Sequence, residues 1–256
     1  MASEIRVDTV YNESGDSDSG LDMSTNDVVA VKIAGSEKLR VHSDGKLGVG
    51  TASPSYNVHS VTTSGSDYAG FFHNSAGSGN GTALVVKGGA NNTGAGTFIV
   101  QDYGGNTDLM VDGNGHVTMP NQSAFNAKND GTQSNIATSS QVAVALGTER
   151  FDVNADFASN TFTAPVTGKY QLNVIMRLDS IDSAAYSYEL KLVTSNQNYA
   201  IIFDPDFGQD NNLYDLTIAV LADMDASDTS TVEINQSTGT AQTDIVDVRF
   251  SGFLVC

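Results

Sequence analysis

The sequence predicts an all-β protein, and three observations carry that expectation. Apolar and polar residues alternate with a period of two in several runs of the second half: Tyr170, Leu172, Val174, Met176 and Leu178; Tyr186, Tyr188, Leu190 and Leu192; Leu216, Ile218 and Val220; Val246, Val248 and Phe250. Such alternation turns one face of a strand toward a core. No long stretch carries apolar residues at i, i+3, i+4 and i+7, so few helices are expected. Asp44-Gly45 and Asn114-Gly115 stand between short apolar runs, and these dipeptides tolerate the positive φ of hairpin turns.

Composition divides the chain into three regions. Residues 1–25 are polar and acidic after a short alternating run, Ile5, Val7, Thr9. Residues 26–120 are rich in Gly, Asn, Ser and Thr and are repetitive. Leu39-Arg40-Val41-His42-Ser43-Asp44-Gly45-Lys46-Leu47-Gly48-Val49 and Leu109-Met110-Val111-Asp112-Gly113-Asn114-Gly115-His116-Val117-Thr118-Met119 both read as strand, tight turn, strand. Ala83-Leu84-Val85-Val86-Lys87 and Gly96-Thr97-Phe98-Ile99-Val100, bracketed by Gly-rich turns, read as further strands. No piece carries enough apolar surface for a core of its own, and an isolated hairpin is marginal in water. Units that cannot bury their own face must stack on copies, so this region reads as an elongated intertwined β stalk shared between chains. Residues 121–256 are denser in large apolar residues and read as a self-sufficient domain, a sandwich, barrel or jelly roll.

Charge and chemistry exclude several functions. The net charge is −18, from 12 Lys and Arg against 30 Asp and Glu, which repels phosphate backbones and argues against nucleic-acid binding. A content of 39% hydrophobic residues argues against the disorder that such acidity otherwise suggests. The single cysteine, Cys256, cannot form an intrachain disulfide. The start of the chain has neither the basic nor the apolar segment of a signal peptide, and no apolar run is long enough to span a bilayer, so no membrane insertion is expected. The histidines His42, His59, His73 and His116 form no metal-ligating pair. Gly77-Ser78-Gly79-Asn80-Gly81 reads as a turn, not a phosphate cradle. With no nucleophile elbow, Walker loop or zincin motif, no catalytic residue and no cofactor are expected. Two acidic clusters, Asp204, Asp206 and Asp210, and Asp223, Asp225 and Asp228, read first as turn residues. The first is the better candidate for a calcium site, and a carboxylate pair of a polysaccharide-cleaving spike is the remaining alternative.

Two segments resemble known families. The stretch from Phe151 to Tyr170 contains Phe162-Thr163-Ala164-Pro165-Val166-Thr167-Gly168-Lys169-Tyr170, and the chain closes on Phe250-Ser251-Gly252-Phe253-Leu254-Val255. Both are similar to signatures of C1q-like domains and together bound residues 124–256. The resemblance implies a C1q/TNF-like jelly roll packed as a trimer about a threefold axis. Phe151, Phe162, Pro165, Gly168, Tyr170, Phe250, Gly252 and Phe253 would be its structural residues: Pro165 ending a strand, Gly168 relaxing a turn, Phe250 and Phe253 filling the core. The segment Lys38 to Thr51 looks like one common in bacteriophage tail fibres, and Ser3-Glu4-Ile5-Arg6-Val7-Asp8-Thr9-Val10 is similar to the starts of such fibres. This resemblance implies a non-enzymatic virion fibre, assembled in the host cytoplasm. Residues 1–25 would dock on another virion protein. The homotrimeric head would bind a host surface receptor or glycan through loops near residues 179–185, 196–199 and 204–212. A capsid decoration or neck fibre, a small depolymerase spike, and a bacterial surface or matrix protein that shares the head fold are the alternatives.

Overall fold

The computed structural model describes residues 6–12, 18–75, 82–89 and 91–256. It divides into two compact units, Met1–Val85 and Val86–Cys256. Among the described residues there is no helix long and apolar enough to cross a membrane. The turn Gly77 to Gly81, and Ile5 of the first alternating run, lie outside the described residues.

The first unit is a single sheet of six strands in sequence order: β1 (Thr9–Tyr11), β2 (Gly20–Asp22), β3 (Val29–Ile33), β4 (Ser36–Val41), β5 (Leu47–Val49) and β6 (Val58–Ser60). Neighbours are antiparallel except β5 and β6. Thus β1 and β2, inside residues 1–25, belong to this sheet. The hairpin expected at Asp44-Gly45 joins β4 to β5, with Leu39 opposite Val49 and Val41 opposite Leu47. One face carries ion pairs, Lys32 with Asp22 at 2.5 Å and Arg40 with Glu37 at 2.6 Å. The Lys32 ammonium, with the Ser24 hydroxyl and N–H, holds the Asp22 carboxyl well below the usual carboxylate range.

The second unit opens with a three-stranded antiparallel sheet, β7 (Gly96–Gln101), β8 (Thr107–Asp112) and β9 (Val117–Thr118). The Asn114-Gly115 hairpin joins β8 to β9, with Val111 opposite Val117. The strand expected at residues 83–87 is absent, and Leu84, Val85 and Val86 are exposed. β-branched side chains favour a strand only where a neighbouring strand pairs with it, and among the described residues this run has none.

The remaining strands form the head: β10 (Ala124–Lys128), β11 (Gln141–Ala143), β12 (Thr148–Asp152), β13 (Phe157–Ala158), β14 (Thr161–Thr163), β15 (Gly168–Ile181), β16 (Ser187–Thr194), β17 (Asn198–Phe203), β18 (Asn211–Met224), β19 (Thr229–Ser237) and β20 (Asp244–Leu254). They make two sheets, one ordered β12-β10-β20-β15-β18 and the other β13-β14-β19-β16-β17, with β11 also on β19. From β17 onward the chain crosses from sheet to sheet at each loop, and all pairings between these strands are antiparallel, which is jelly-roll topology. The head is therefore the two-layer jelly roll that the sequence predicts.

The alternating runs supply the core. Tyr170, Leu172, Val174, Met176 and Leu178 of β15 are fully buried, as are Tyr188, Leu190 and Leu192 of β16. Phe125 sits at the centre of an aromatic cluster, stacked on Phe162 at 4.5 Å and on Phe157 at 5.2 Å, with Phe250 edge-on at 4.8 Å. Two expectations fail. Tyr186 precedes β16 and is 76% exposed. In β20 a bulge opposite Arg177 and Leu178 shifts the register, so Ile245 is buried in place of Val246 before Val248 and Phe250 resume the pattern.

Candidate functional site

The head motif divides between core and surface. Phe162, Tyr170 and Phe250 are buried, and the Tyr170 hydroxyl donates to the Val166 carbonyl at 2.7 Å, tying β15 to the turn before it. Pro165 lies in that turn, just after β14. Gly252 is buried, and a Cβ there would stand 2.6 Å from Leu172 Cδ2 and 2.8 Å from Phe125 Cε1. Gly168 is needed for space and not to relax a turn: it starts β15, and a Cβ would stand 2.5 Å from the Cys256 carbonyl oxygen. Phe253 and Phe151 correct the sequence reading, because both point outward, 46% and 53% exposed. With Phe250 inside, a regular strand turns the residue three further on to the other face. On the outer face of the five-stranded sheet, Phe253 and Leu221 flank Gln171, and Phe151 stands opposite Asn126. The Asn126 Oδ1 is buried there with no hydrogen-bond partner among the described residues.

The connections gather at two ends of the head. At one end lie the chain's entry into β10, the turn before β15, the β16–β17 hairpin, the β18–β19 turn and Cys256. Lys169 N–H donates to the Cys256 carbonyl, Ser195 N–H to Thr229, and Asn196 Nδ2 to the Asp223 carbonyl and to Asp228 Oδ2. At the other end lie residues 182–186, 204–210 and 238–243. The three loops expected to recognise a receptor are therefore split: residues 196–199 occupy the entry end, and only the other two share the far end.

The far end is built on a buried polar network. Asp182 is 2% exposed, and its carboxylate accepts N–H groups from Ala184 at 2.8 Å, from Ala241 at 2.7 Å and from Thr240. Burial pushes this carboxyl up, but the donated N–H bonds together bring it below the ordinary range. The Asp182 N–H donates to the Tyr188 hydroxyl at 3.0 Å, which lies 2.6 Å from Thr243 Oγ1. Gln236 Nε2 donates to the Ala241 carbonyl at 2.6 Å, and its Oε1 accepts the Thr243 N–H. Gly239, at φ 111°, passes so near that a Cβ would stand 2.6 Å from Asp182 Oδ2. The β17–β18 loop is tied to the same point, because Ser183 donates both N–H and hydroxyl to Asp210 Oδ1.

Aromatic side chains emerge from this support. Tyr188, Phe203 and Tyr214 stack in sequence at 5.0 and 4.2 Å, and Phe207 continues the series at 6.3 Å from Phe203, 42% exposed. Tyr186 stands at the same end, and Asp204 and Asp206 are exposed beside Phe207. The set offers aromatic faces next to carboxylate acceptors, with the Phe207 ring packed against Phe203 and Tyr214.

The calcium candidates do not converge. Asp204 Oδ1 accepts the Asp206 N–H at 3.1 Å, and Asp210 is engaged by Ser183. Among the described residues no group of three or more His, Cys, Asp or Glu could hold a metal ion. Asp225 and Asp228 close their own turn, and Asp223 pairs with Lys169. His42 and His116 bind carboxylates of their own turns, Asp44 at 3.0 Å and Asp112 at 2.8 Å.

No family model matches the chain, and no curated protein does. Solved structures similar to it include the globular domain of zebrafish complement 1qA protein, at 18% identity, covering 53% of this chain and 98% of that one, with a TM-score of 0.41. Murine APRIL matches at 11% identity, covering 52% and 99%, with a TM-score of 0.39. These are the C1q and TNF types of jelly roll, and the likeness concerns the fold.

Proposed function

We propose that this chain is a non-enzymatic fibre of a bacteriophage particle, a homotrimer whose C-terminal head binds the host cell surface. The observation that supports the reading is the contrast between the two parts of the chain. The head encloses a core of its own, whereas the sheets before it are single layers, built from a repeated hairpin and exposing apolar side chains. A projecting fibre has that division: a stem completed by association, and a compact tip. On the head, Phe253, Leu221, Ile175 and Phe151 on the outer face of the five-stranded sheet favour further contact between copies. At the far end, Tyr186, Phe207 and the neighbouring carboxylates suit a glycan, whose rings stack on aromatic faces and whose hydroxyls donate to acidic oxygens. Three such tips add avidity to weak single contacts. Residues 1–25 would attach the fibre to another virion protein.

Light scattering on a sizing column tests the assembly. The expected mass is three times the 26.8 kDa chain. A monomer would overturn the fibre reading. A trimer that neither binds susceptible cells nor protects them from infection would remove the receptor-binding role.

A further inference from the structure

We infer that the aliphatic face of the six-stranded sheet is an interface between copies of this chain, and that three copies enclose one core between their sheets. The inference rests on the homotrimer proposed above and names the surface that makes it. Val10, Leu21, Val31, Leu39 and Val49 stand directly opposite one another on five successive strands. A second row on the same face runs Val29, Val41, Leu47 and Val58. None of these nine side chains is charged or hydrogen-bonding, and the first row ends on β6 at Ser60, whose hydroxyl donates to the Ala69 carbonyl at 2.5 Å. Six of these nine side chains are between 39% and 68% exposed. The opposite face holds Asp22, Lys32 and Arg40, with their ion pairs made within the sheet.

A sheet with one apolar face must bury that face against another layer. The nine side chains offer roughly 600 Å² of apolar surface, close to the ~800 Å² per partner of a standard interface. The character of the face selects the occupant. It lacks the charges and donors by which a foreign partner would be recognised, and it needs cover as soon as the sheet forms. Another copy brings the same area and the same chemistry in equal amount. Three sheets around an axis turn every aliphatic row inward and every ion-paired face outward, which also keeps the acidic side chains apart. The three-stranded sheet repeats the apolar rows, with Phe98, Val111 and Val117 in one, Val100 and Leu109 in the next, and Phe98, Val100 and Val117 exposed, while its other face carries Ile99 opposite Met110.

Thiol protection in the full chain tests this. In a Cys256→Ser background, Val49→Cys places a thiol on the face and Ser43→Cys places one in the exposed turn. In the assembled protein the first should react with a maleimide about ten-fold more slowly than the second. Adding Leu39→Glu should lower the oligomer mass and free the protected thiol. Val58→Glu, at the sheet edge, replaces it if circular dichroism shows Leu39→Glu unfolded. A trimer with both thiols equally reactive overturns this inference and leaves the homotrimer standing. A trimer whose thiol stays protected and whose mass is unmoved by the charge overturns it too, since the cover then comes from the same chain. A monomer overturns both readings.

Discussion

Ala241 donates its N–H to Asp182 Oδ2 at 2.7 Å across 59 residues of chain, and this bond fastens the β19–β20 loop to the start of the β15–β16 loop. The carboxylate works as a hub because backbone N–H groups from both loops converge on it in a buried site. Asp182→Asn keeps the shape and removes the charge, so it should cost about 1–3 kcal/mol and lower the Tm at pH 7. The pH dependence follows from a carboxyl held below its ordinary range. Its contribution is fully present above the unfolded value near ~3.9 and is lost as pH falls through the lower folded one. The native head should therefore lose stability on acidification below pH about 4, and the Asn variant should show a shallower acid limb. Tm measured from pH 2 to pH 8 checks both; parallel curves would mean that Asp182 contributes shape alone.

Gly252 is required because β20 crosses Phe125 and Leu172 with no room for a methyl group. Gly252→Ala should destabilise the head by about 1–3 kcal/mol through overpacking. Gly131→Ala, where an added Cβ meets nothing within 4 Å and the backbone is not left-handed, should change stability by less than about 0.5 kcal/mol. Urea denaturation of both variants checks the difference. Equal midpoints would show that β20 can move away from β10.

Much of the head was legible because burial follows parity along a strand. The runs from Tyr170 to Leu178 and from Tyr188 to Leu192 announced their buried faces directly. Parity also explains an avoidable error: Phe250 and Phe253, three apart, cannot share one face of a regular strand. The bulge at Val246 was not legible, since it is set by pairing with Arg177 and Leu178 some 70 residues away in sequence. Phe125 was hidden for another reason. It is a single aromatic among small and polar neighbours, and only the fold brings Phe157, Phe162 and Phe250 onto it. The Asp182 network joins loops 50 to 60 residues apart and left no local pattern.

A third hairpin turn, residues 102–106, matches those at 42–46 and 112–116 but carries no Asp-Gly or Asn-Gly pair. In each, the first residue donates its N–H to the fifth residue's carbonyl, and a glycine at the fourth position donates back to the first. Gly45, Gly105 and Gly115 have φ of 83°, 84° and 88°. Alanine at each should cost about 1 kcal/mol, because the left-handed conformation crowds a Cβ. Hydrogen exchange at the amides of His42, Asp102 and Asp112 should accelerate roughly five-fold in the matching variant, if the turn opens locally. Acceleration spread over the whole chain would instead mean that the turns and the head unfold together.

The two ends of the head make opposite predictions for recognition. Tyr186 is 76% exposed and lies on a loop already fastened by Asp182 and Thr238, so Tyr186→Ala should leave the Tm within about 1 °C of the native protein. If the far end binds the receptor, the same change should weaken attachment to susceptible cells about ten-fold or more, as loss of an aromatic anchor does. Phe207→Ala should act in the same direction with a modest loss of stability, since its ring packs against Phe203 and Tyr214. Gln197→Ala, on the exposed β16–β17 hairpin at the entry end, should leave attachment unchanged. Cell binding measured for the three variants beside their melting curves checks this. A larger loss from Gln197→Ala than from Tyr186→Ala would move the binding surface to the entry end, where the expected recognition loop at residues 196–199 lies.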